Sequence, residues 1–410
     1  MRIAPDAVIE VVESNRLVRG LAGIENTDED LLYAFTEITE KRPVAMQIDF
    51  TEDQVQFREV VARFLQDKSQ PAAVRQQMET ASGYDEAVWQ QLAQEIGLAG
   101  THLPEAYGGF GFGPVELGIT AEQMGRYLYC GPFFASAVMA AGAVLIAADE
   151  AEKQALLPDI AAGTSIATLV LDSLDAPYKV GQALSFAAGS LTGEAGLVVD
   201  AINADQFAVI ASSADGLGLY WIAASAPGIE TAPVQSLDPT RKLASVRFKS
   251  AEAKQIGALT EASLQAVWDY ICIALAHEMI GGAQHLLDTT VDYTKLRYQF
   301  GRPIGSFQGL KHRLADLLME LEMAKAATHH AAFALAAGEA DETVGSMAKA
   351  MASDVYLKAA KEAIQMRGGV GFTWEEDTHL WFKRAKSSEV FMGTPTMHRE
   401  RMMTQLEQTS

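Results

Sequence analysis

Arg297-Tyr-Gln-Phe-Gly-Arg-Pro-Ile-Gly-Ser-Phe-Gln-Gly-Leu-Lys311 lies between two long stretches of helical sequence. Its middle, Gly301-Arg-Pro-Ile-Gly-Ser306, is turn-prone, because glycine admits positive φ and proline fixes φ. Upstream, residues 262–298 keep helical periodicity and can form one helix roughly 55 Å long at about 1.5 Å per residue. Downstream, the pattern predicts helices over 307–337, bounded by Gly338, over 341–366, ended by Gly368-Gly369, and over 376–392. Long helices with short links predict an antiparallel four-helix bundle. The turn also gathers Arg297, Arg302 and Lys311 beside aromatic residues. Cations and free backbone N–H groups at a helix end suit a phosphate-bearing ligand. A charged helix–helix turn without a ligand is the other reading.

Upstream of the bundle the period changes. Residues 167–171, 196–202, 206–211, 217–223 and 243–248 are short, β-branched or apolar, and separated by Gly, Asp and Asn. They predict a small antiparallel β domain whose loops carry Pro227, Pro233 and Pro239. Before it the sequence is helical. Thr51 and Gln54 have capping-box spacing, and Val55, Val60, Val61, Phe64 and Leu65 follow at helical period. Further helices are expected over 85–95, 116–127, 133–148 and 152–162, with the glycine-rich run Pro104-Glu-Ala-Tyr-Gly-Gly-Phe-Gly-Phe-Gly113 between the first two. The fold class is α+β and multidomain: an extension over 1–47, an α-helical domain over 48–163, an antiparallel β domain over 164–258 and the bundle over 259–410. The extension is acidic, with a helix expected over 28–41, and reads as a tail or as a subunit-contact arm.

Composition bounds the partners. The 410 residues carry a formal charge of -21, which argues against nucleic acid and against an anionic membrane surface. A polyanionic ligand needs a local basic patch, and residues 295–313 supply one. The two cysteines, Cys130 and Cys272, sit in apolar segments and read as buried thiols of a reducing compartment, neither a disulfide nor a zinc site. No metal site is expected. No stretch reaches 18 uncharged apolar residues, and the first residues lack a basic-then-apolar leader. A cytoplasmic location and no membrane span are the expectations.

Four segments, in this order, resemble the acyl-CoA dehydrogenase family of flavoproteins over about residues 48–408. Pro104-Glu-Ala-Tyr-Gly-Gly resembles its PEEYGG-type loop, and Arg297-Tyr-Gln-Phe-Gly-Arg with Gln308 its R-x-x-F-G…Q segment. Gln365-Met-Arg-Gly-Gly-Val-Gly-Phe372 resembles its Q-x-x-G-G-x-G signature, and Gly393-Thr394 its E-G-T segment. The resemblance implies FAD bound between subunits of a dimer or tetramer, an acyl-CoA thioester as substrate and an electron-transfer flavoprotein as acceptor. It implies that Arg297 and Gln299 hold the FAD diphosphate, that Phe300 and Gln308 meet the adenine end, and that Gln365, Gly368, Gly369 and Thr394 approach the same cofactor from a neighbouring subunit. Read without the family, the glycine pair is also a helix C-cap and Arg297 a solvated terminal cation.

The chain departs from the family where the chemistry is done. Removal of the substrate α proton needs a positioned carboxylate. The family's glutamate before Gly-Thr is Met392 here, and a minority's alternative position on the first bundle helix is Ile271, followed by Cys272. The nearest carboxylates are Asp269, Glu278 and Glu389. Glu278 is the candidate base, in the apolar run Ile273–Ala283, where a buried carboxylate needs a partner; a core carboxylate bonded to another helix is the competing reading. The hydroxyl and indole groups the family places against the flavin are replaced by Leu169-Val-Leu-Asp172 and Leu197-Val-Val-Asp200. These losses resemble a bacterial branch that acts on bulky acyl-CoAs such as steroid side chains, some of whose members pair two unlike subunits. Three functions follow: an FAD-dependent acyl-CoA dehydrogenase performing α,β-dehydrogenation, a non-catalytic or half-site subunit of a hetero-oligomer, or a flavin oxidase or monooxygenase on the same fold.

Overall fold

The computed structural model describes residues 49–341 and 343–409; the expected helix over 28–41 and the extension over 1–47 fall outside them. Helix α1 (Glu52–Lys68) starts at the capping box read from the sequence: Thr51 caps the Gln54 amide and the Gln54 side chain returns to the Thr51 amide. α2 (Pro71–Glu79) and α3 (Glu86–Gln90) follow, and α3 continues into a wider π-helical turn over Gln91–Glu95. α4 (Pro114–Arg126) is buried along nearly its whole length. A π-helical stretch, Phe134–Ala140, leads into α5 (Ala141–Ala147), and α6 (Glu150–Ala161) closes this helical part.

The sheet has eight strands: β1 (Ala167–Val170), β2 (Leu184–Ala187), β3 (Ser190–Val199), β4 (Gln206–Ser213), β5 (Gly216–Ala223), β6 (Ile229–Val234), β7 (Leu243–Glu252) and β8 (Lys254–Leu259). Their order is β6-β7-β3-β2-β4-β5-β8, with β1 beside β4. The antiparallel expectation needs one correction, since β1 and β2 both pair with β4 in parallel. Three strands escaped the sequence reading. β6 (Ile-Glu-Thr-Ala-Pro-Val) is an exposed edge strand containing Pro233, a position a proline tolerates because an edge strand has unpaired backbone groups. β2 is only four residues long, and β8 turns Lys254, Gln255 and Ala258 outward. β3 ends at Val199 because Asp200 turns into the left-handed region, φ 50°.

The bundle begins with α7 (Glu261–Leu296), 36 residues started by a Thr260–Ser263 capping box. A two-stranded hairpin, β9 (Tyr298–Gln299) and β10 (Arg302–Pro303), separates it from α8 (Gln308–Ala337). α9 (Val344–Arg367), α10 (Thr378–Val390) and α11 (Pro395–Thr409) complete it. α11 is a fifth helix where four were expected. No helix among the described residues is long and apolar enough to cross a membrane.

Two glycines set the distance between α4 and α7. A Cβ at Gly125 would lie 1.8 Å from the Glu278 carbonyl oxygen, and one at Gly281 would lie 1.8 Å from the Glu122 carbonyl oxygen. The backbones therefore meet directly, and the side chains flanking this crossing, Glu122, His277 and Glu278, are pressed into the interior.

Candidate active-site cleft and cofactor surface

Glu278 leaves α7 toward a pair of arginines. Arg241, in the turn before β7, donates from Nη2 to both of its carboxylate oxygens at 2.7 and 2.5 Å. Arg384 of α10 donates from Nη1 to Oε1 at 3.1 Å. Arg384 also donates from Nε to Asp238 at 2.6 Å and from Nη2 to the Thr240 hydroxyl at 2.7 Å, while that hydroxyl donates to Asp238 at 2.5 Å. All five residues are buried. Two guanidinium and two carboxylate groups cancel, which is what buried charges require. The Arg241 guanidinium lies over the rings of Phe134 at 4.8 Å and Phe391 at 5.8 Å. The cavity left beside the network, lined by Tyr129, Phe134, Asp200, Arg241 and Glu278, is about 20 Å³. That holds about one water molecule. Arg241, Arg384 and Asp238 were not singled out in the sequence; the signal was the turn Asp238-Pro-Thr-Arg241, polar residues between two apolar strands.

The positions that the resemblance assigns to the base, Met392 and Ile271, are packed shut, as is Cys272 beside them. Met392, Ile271 and Cys272 have no exposed surface. Met392 holds a left-handed backbone, φ 59°. Its carbonyl accepts from His398 Nε2 at 2.9 Å and from the Cys272 thiol at 3.8 Å. Buried Lys349 donates to the carbonyls of Glu389 and Gly393 and to Ser353 Oγ, at 3.3, 3.2 and 3.0 Å, and burial pushes its ammonium down to about 8. The other carboxylates are engaged. Asp269 pairs with Arg401 at 2.9 Å and Glu389 with Lys386.

On the sheet side, Asp172 accepts from the amides of Gly181, Ala183 and Leu184 and so ties down its own loop. Asp200 lines the small cavity and accepts from Asn203 Nδ2 at 3.1 Å; burial, against the pull of Arg241, raises it to about 6.

The surface beyond α7 is built differently. Phe300 and Gly301 both have positive φ, 54° and 77°, the geometry of a tight two-residue hairpin turn. Phe300 is 90% exposed. It meets Phe307 edge to face at 6.1 Å, and the Arg302 guanidinium covers Phe307 at 4.0 Å. Arg297 ends α7 exposed, and its side chain makes no ion pair among the described residues. An open pocket of about 310 Å³ is lined by Gln299, Phe300, Phe307, Arg313, Gln365 and Met366. Three of the residues assigned to the cofactor, Gln299, Phe300 and Gln365, thus converge. Gln308, Gly368, Gly369 and Thr394 are exposed but do not line this pocket. Gly368, φ 63°, caps α9, which explains it without a ligand; a Cβ at Gly369 would meet nothing within 4 Å. Thr394 Oγ1 accepts from the Met397 amide at 3.3 Å in the first turn of α11.

These dimensions test FAD against the chain. A pocket of a few hundred Å³ with an exposed aromatic, amides and nearby guanidinium groups fits a nucleotide end. A 20 Å³ void does not admit a three-ring flavin.

Comparison with known proteins gives the same architecture. The family model for the acyl-CoA dehydrogenase N-terminal domain matches residues 51–164, and that for the C-terminal domain matches residues 269–407. Acyl-CoA dehydrogenase IpdE2 of Mycobacterium tuberculosis is 35% identical over 344 residues, 84% of this chain and 94% of that one. IpdE2 of Mycolicibacterium smegmatis is 33% identical over 346 residues, 84% of this chain and 96% of that one. Among solved structures, a Tcur3481–Tcur3483 steroid ACAD variant is 26% identical with a TM-score of 0.80, covering 87% of this chain and 98% of that one. The ChsE4–ChsE5 complex of Mycobacterium tuberculosis, at 24% identity and a TM-score of 0.81 over 89% of this chain and 100% of that one, shares the fold.

Proposed function

The chain belongs to the acyl-CoA dehydrogenase family, and from that premise we propose that it is the half-site subunit of a hetero-oligomeric acyl-CoA dehydrogenase acting on a bulky, steroid-type acyl-CoA. The assembly performs α,β-dehydrogenation of the thioester, and an electron-transfer flavoprotein takes the electrons. This chain holds the outer, nucleotide end of FAD. Arg297 and Gln299 meet the diphosphate and Phe300 and Gln308 the adenine end, while Gln365, Gly368, Gly369 and Thr394 approach the cofactor held by the neighbouring subunit. When bound, FAD supplies the hydride acceptor. An unlike subunit supplies the carboxylate base and the surface against which the ring lies.

One observation carries this reading. The chain's own cleft is filled by the Arg241–Glu278–Arg384 network, leaving about 20 Å³. Glu278 is then a core carboxylate and not the base: both of its oxygens are engaged by guanidinium donors, Arg241 on both and Arg384 on Oε1. Met392 and Ile271 cannot accept a proton. The similarity to the Tcur3481–Tcur3483 steroid ACAD, whose name joins two components, supports the choice of substrate class and of an unlike partner.

The test is spectroscopic. The chain is purified alone and with a co-expressed unlike acyl-CoA dehydrogenase subunit, and acyl-CoA is added anaerobically with a dye acceptor. The expected result is flavin retention and bleaching in the complex and neither in the chain alone. A chain that retains flavin alone and is bleached by acyl-CoA overturns the half-site assignment.

A further inference from the structure

Away from the cleft, on the other side of the α4–α7 crossing, three helices bring together Glu122 of α4, His277 of α7 and His329 of α8. One potential ligand atom from each lies within 4.8 Å of the others. Glu122 Oε2 and His329 Nε2 are 3.1 Å apart, and the His277 and His329 rings face each other at 5.4 Å between centroids, 26° from parallel. His277 has no exposed surface, and beyond a backbone contact with Thr328 its ring reaches no hydrogen-bond partner. A buried imidazole nitrogen without a partner needs an explanation. A carboxylate–histidine hydrogen bond accounts for Glu122 and His329 but leaves a ring nitrogen of His277 unexplained.

The helix surfaces shape the place for its ring. Gly118 lies one turn before Glu122 on the same face of α4, and a Cβ there would come within 2.6 Å of His277 Cε1 and Nε2. Only a glycine lets the ring lie over this face. The neighbouring cations are already paired: Lys325 with Glu322 at 2.7 Å, and Arg126 with Asp288 at 2.9 Å. A cavity of about 440 Å³ reaches Glu122 from outside and is lined also by Gln123, Arg126, Gln284 and Lys325.

We propose that Glu122, His277 and His329 bind one divalent transition-metal ion of the zinc class, with water from the adjoining cavity as the fourth ligand, and that the ion clips α4 to α7 and α8. Two imidazoles and a carboxylate around an open position are a zinc-type donor set; nitrogen donors disfavour magnesium and calcium. With metal–ligand bonds of about 2.0–2.1 Å, tetrahedral ligand atoms stand about 3.3 Å apart. The Glu122–His329 pair already meets this, and His277 closes by at most about 1.5 Å. The proposal is independent of the half-site reading.

Untagged full-length chain, stripped with a chelator and titrated with Co2+, tests it. One equivalent is expected to give the visible absorption of a low-coordinate cobalt site, displaced by Zn2+ and not by Mg2+. Glu122→Gln and His329→Gln, checked for folding by circular dichroism, are expected to weaken Co2+ binding at least tenfold. Absence of the absorption, or unchanged affinity in both variants, overturns the site. Should both variants misfold, X-ray absorption at the zinc edge of the loaded wild type decides: two imidazoles with only nitrogen and oxygen neighbours support the site, and a sulfur neighbour places the ion on a cysteine and overturns it.

Discussion

The cleft around Glu278 and the hairpin around Phe300 both gather arginines and aromatic rings, and they use them in opposite ways. In the cleft, Arg241 and Arg384 are buried and each finds a carboxylate within 3.1 Å of its own chain. At the hairpin, Arg297 is exposed and without an ion pair among the described residues, and Phe300 is almost wholly in solvent. Burial explains the difference. A guanidinium in the interior must be neutralised where it stands, whereas one in water remains available to a ligand. The cleft's charges have been spent on the fold. Ligand-binding capacity remains on the surface.

The strongest way to break this contrast is to remove the cleft's central anion. Glu278→Ala leaves buried Arg241 without its ion-pair partner and Arg384 with Asp238 alone. Loss of one partner of a buried ion pair costs about 3–5 kcal/mol. Urea unfolding is expected to show a loss of that size. A loss below about 1 kcal/mol would mean that the cleft opens to water readily and that the network does not close it.

Asp200 sharpens the same side. Its carboxyl is raised from 3.8 to about 6, chiefly by burial. A carboxyl raised in the folded state contributes stability that is fully present below its unfolded value and is lost as pH rises through about 6. The loss is on the order of 3 kcal/mol. Relative to the parent, Asp200→Asn is therefore expected to gain stability between about pH 4 and pH 7. A flat difference across that range in denaturant unfolding would mean that Asp200 is well solvated and the cavity beside it open.

How much of this was legible follows from the same physics. The bundle could be read because α7, α8 and α9 keep a helical period over 24 residues or more and end in recognisable caps, Gly338 and Gly368. The edge strand β6 could not, since it is exposed on both faces and contains a proline. The hairpin motif was legible because its residues are adjacent in sequence. The cleft network was not: Glu278 is 37 residues from Arg241 and 106 from Arg384. That Glu278 stands in an apolar run signalled a need for a partner but not which one. The Glu122–His277–His329 cluster has no ligand spacing at all, because each residue comes from a different helix.

The smallest expected effect on the fold falls on the hairpin, and it is the one that tests what the surface is for. Arg297→Ala removes an exposed cation with no ion pair among the described residues, so stability should change by no more than about 0.5 kcal/mol. If the guanidinium meets the FAD diphosphate, the variant loses a charge-assisted hydrogen bond of about 1.5–3 kcal/mol, which is roughly tenfold or more in FAD retention by the assembled complex. Stability and cofactor retention then separate cleanly, the reverse of Glu278→Ala, where the fold fails first. Phe300→Ala is expected to act in the same direction through lost stacking. Equal FAD retention by parent and Arg297→Ala complexes, measured by equilibrium dialysis, would return this stretch to a solvated helix-end turn and leave the surface with no assigned ligand.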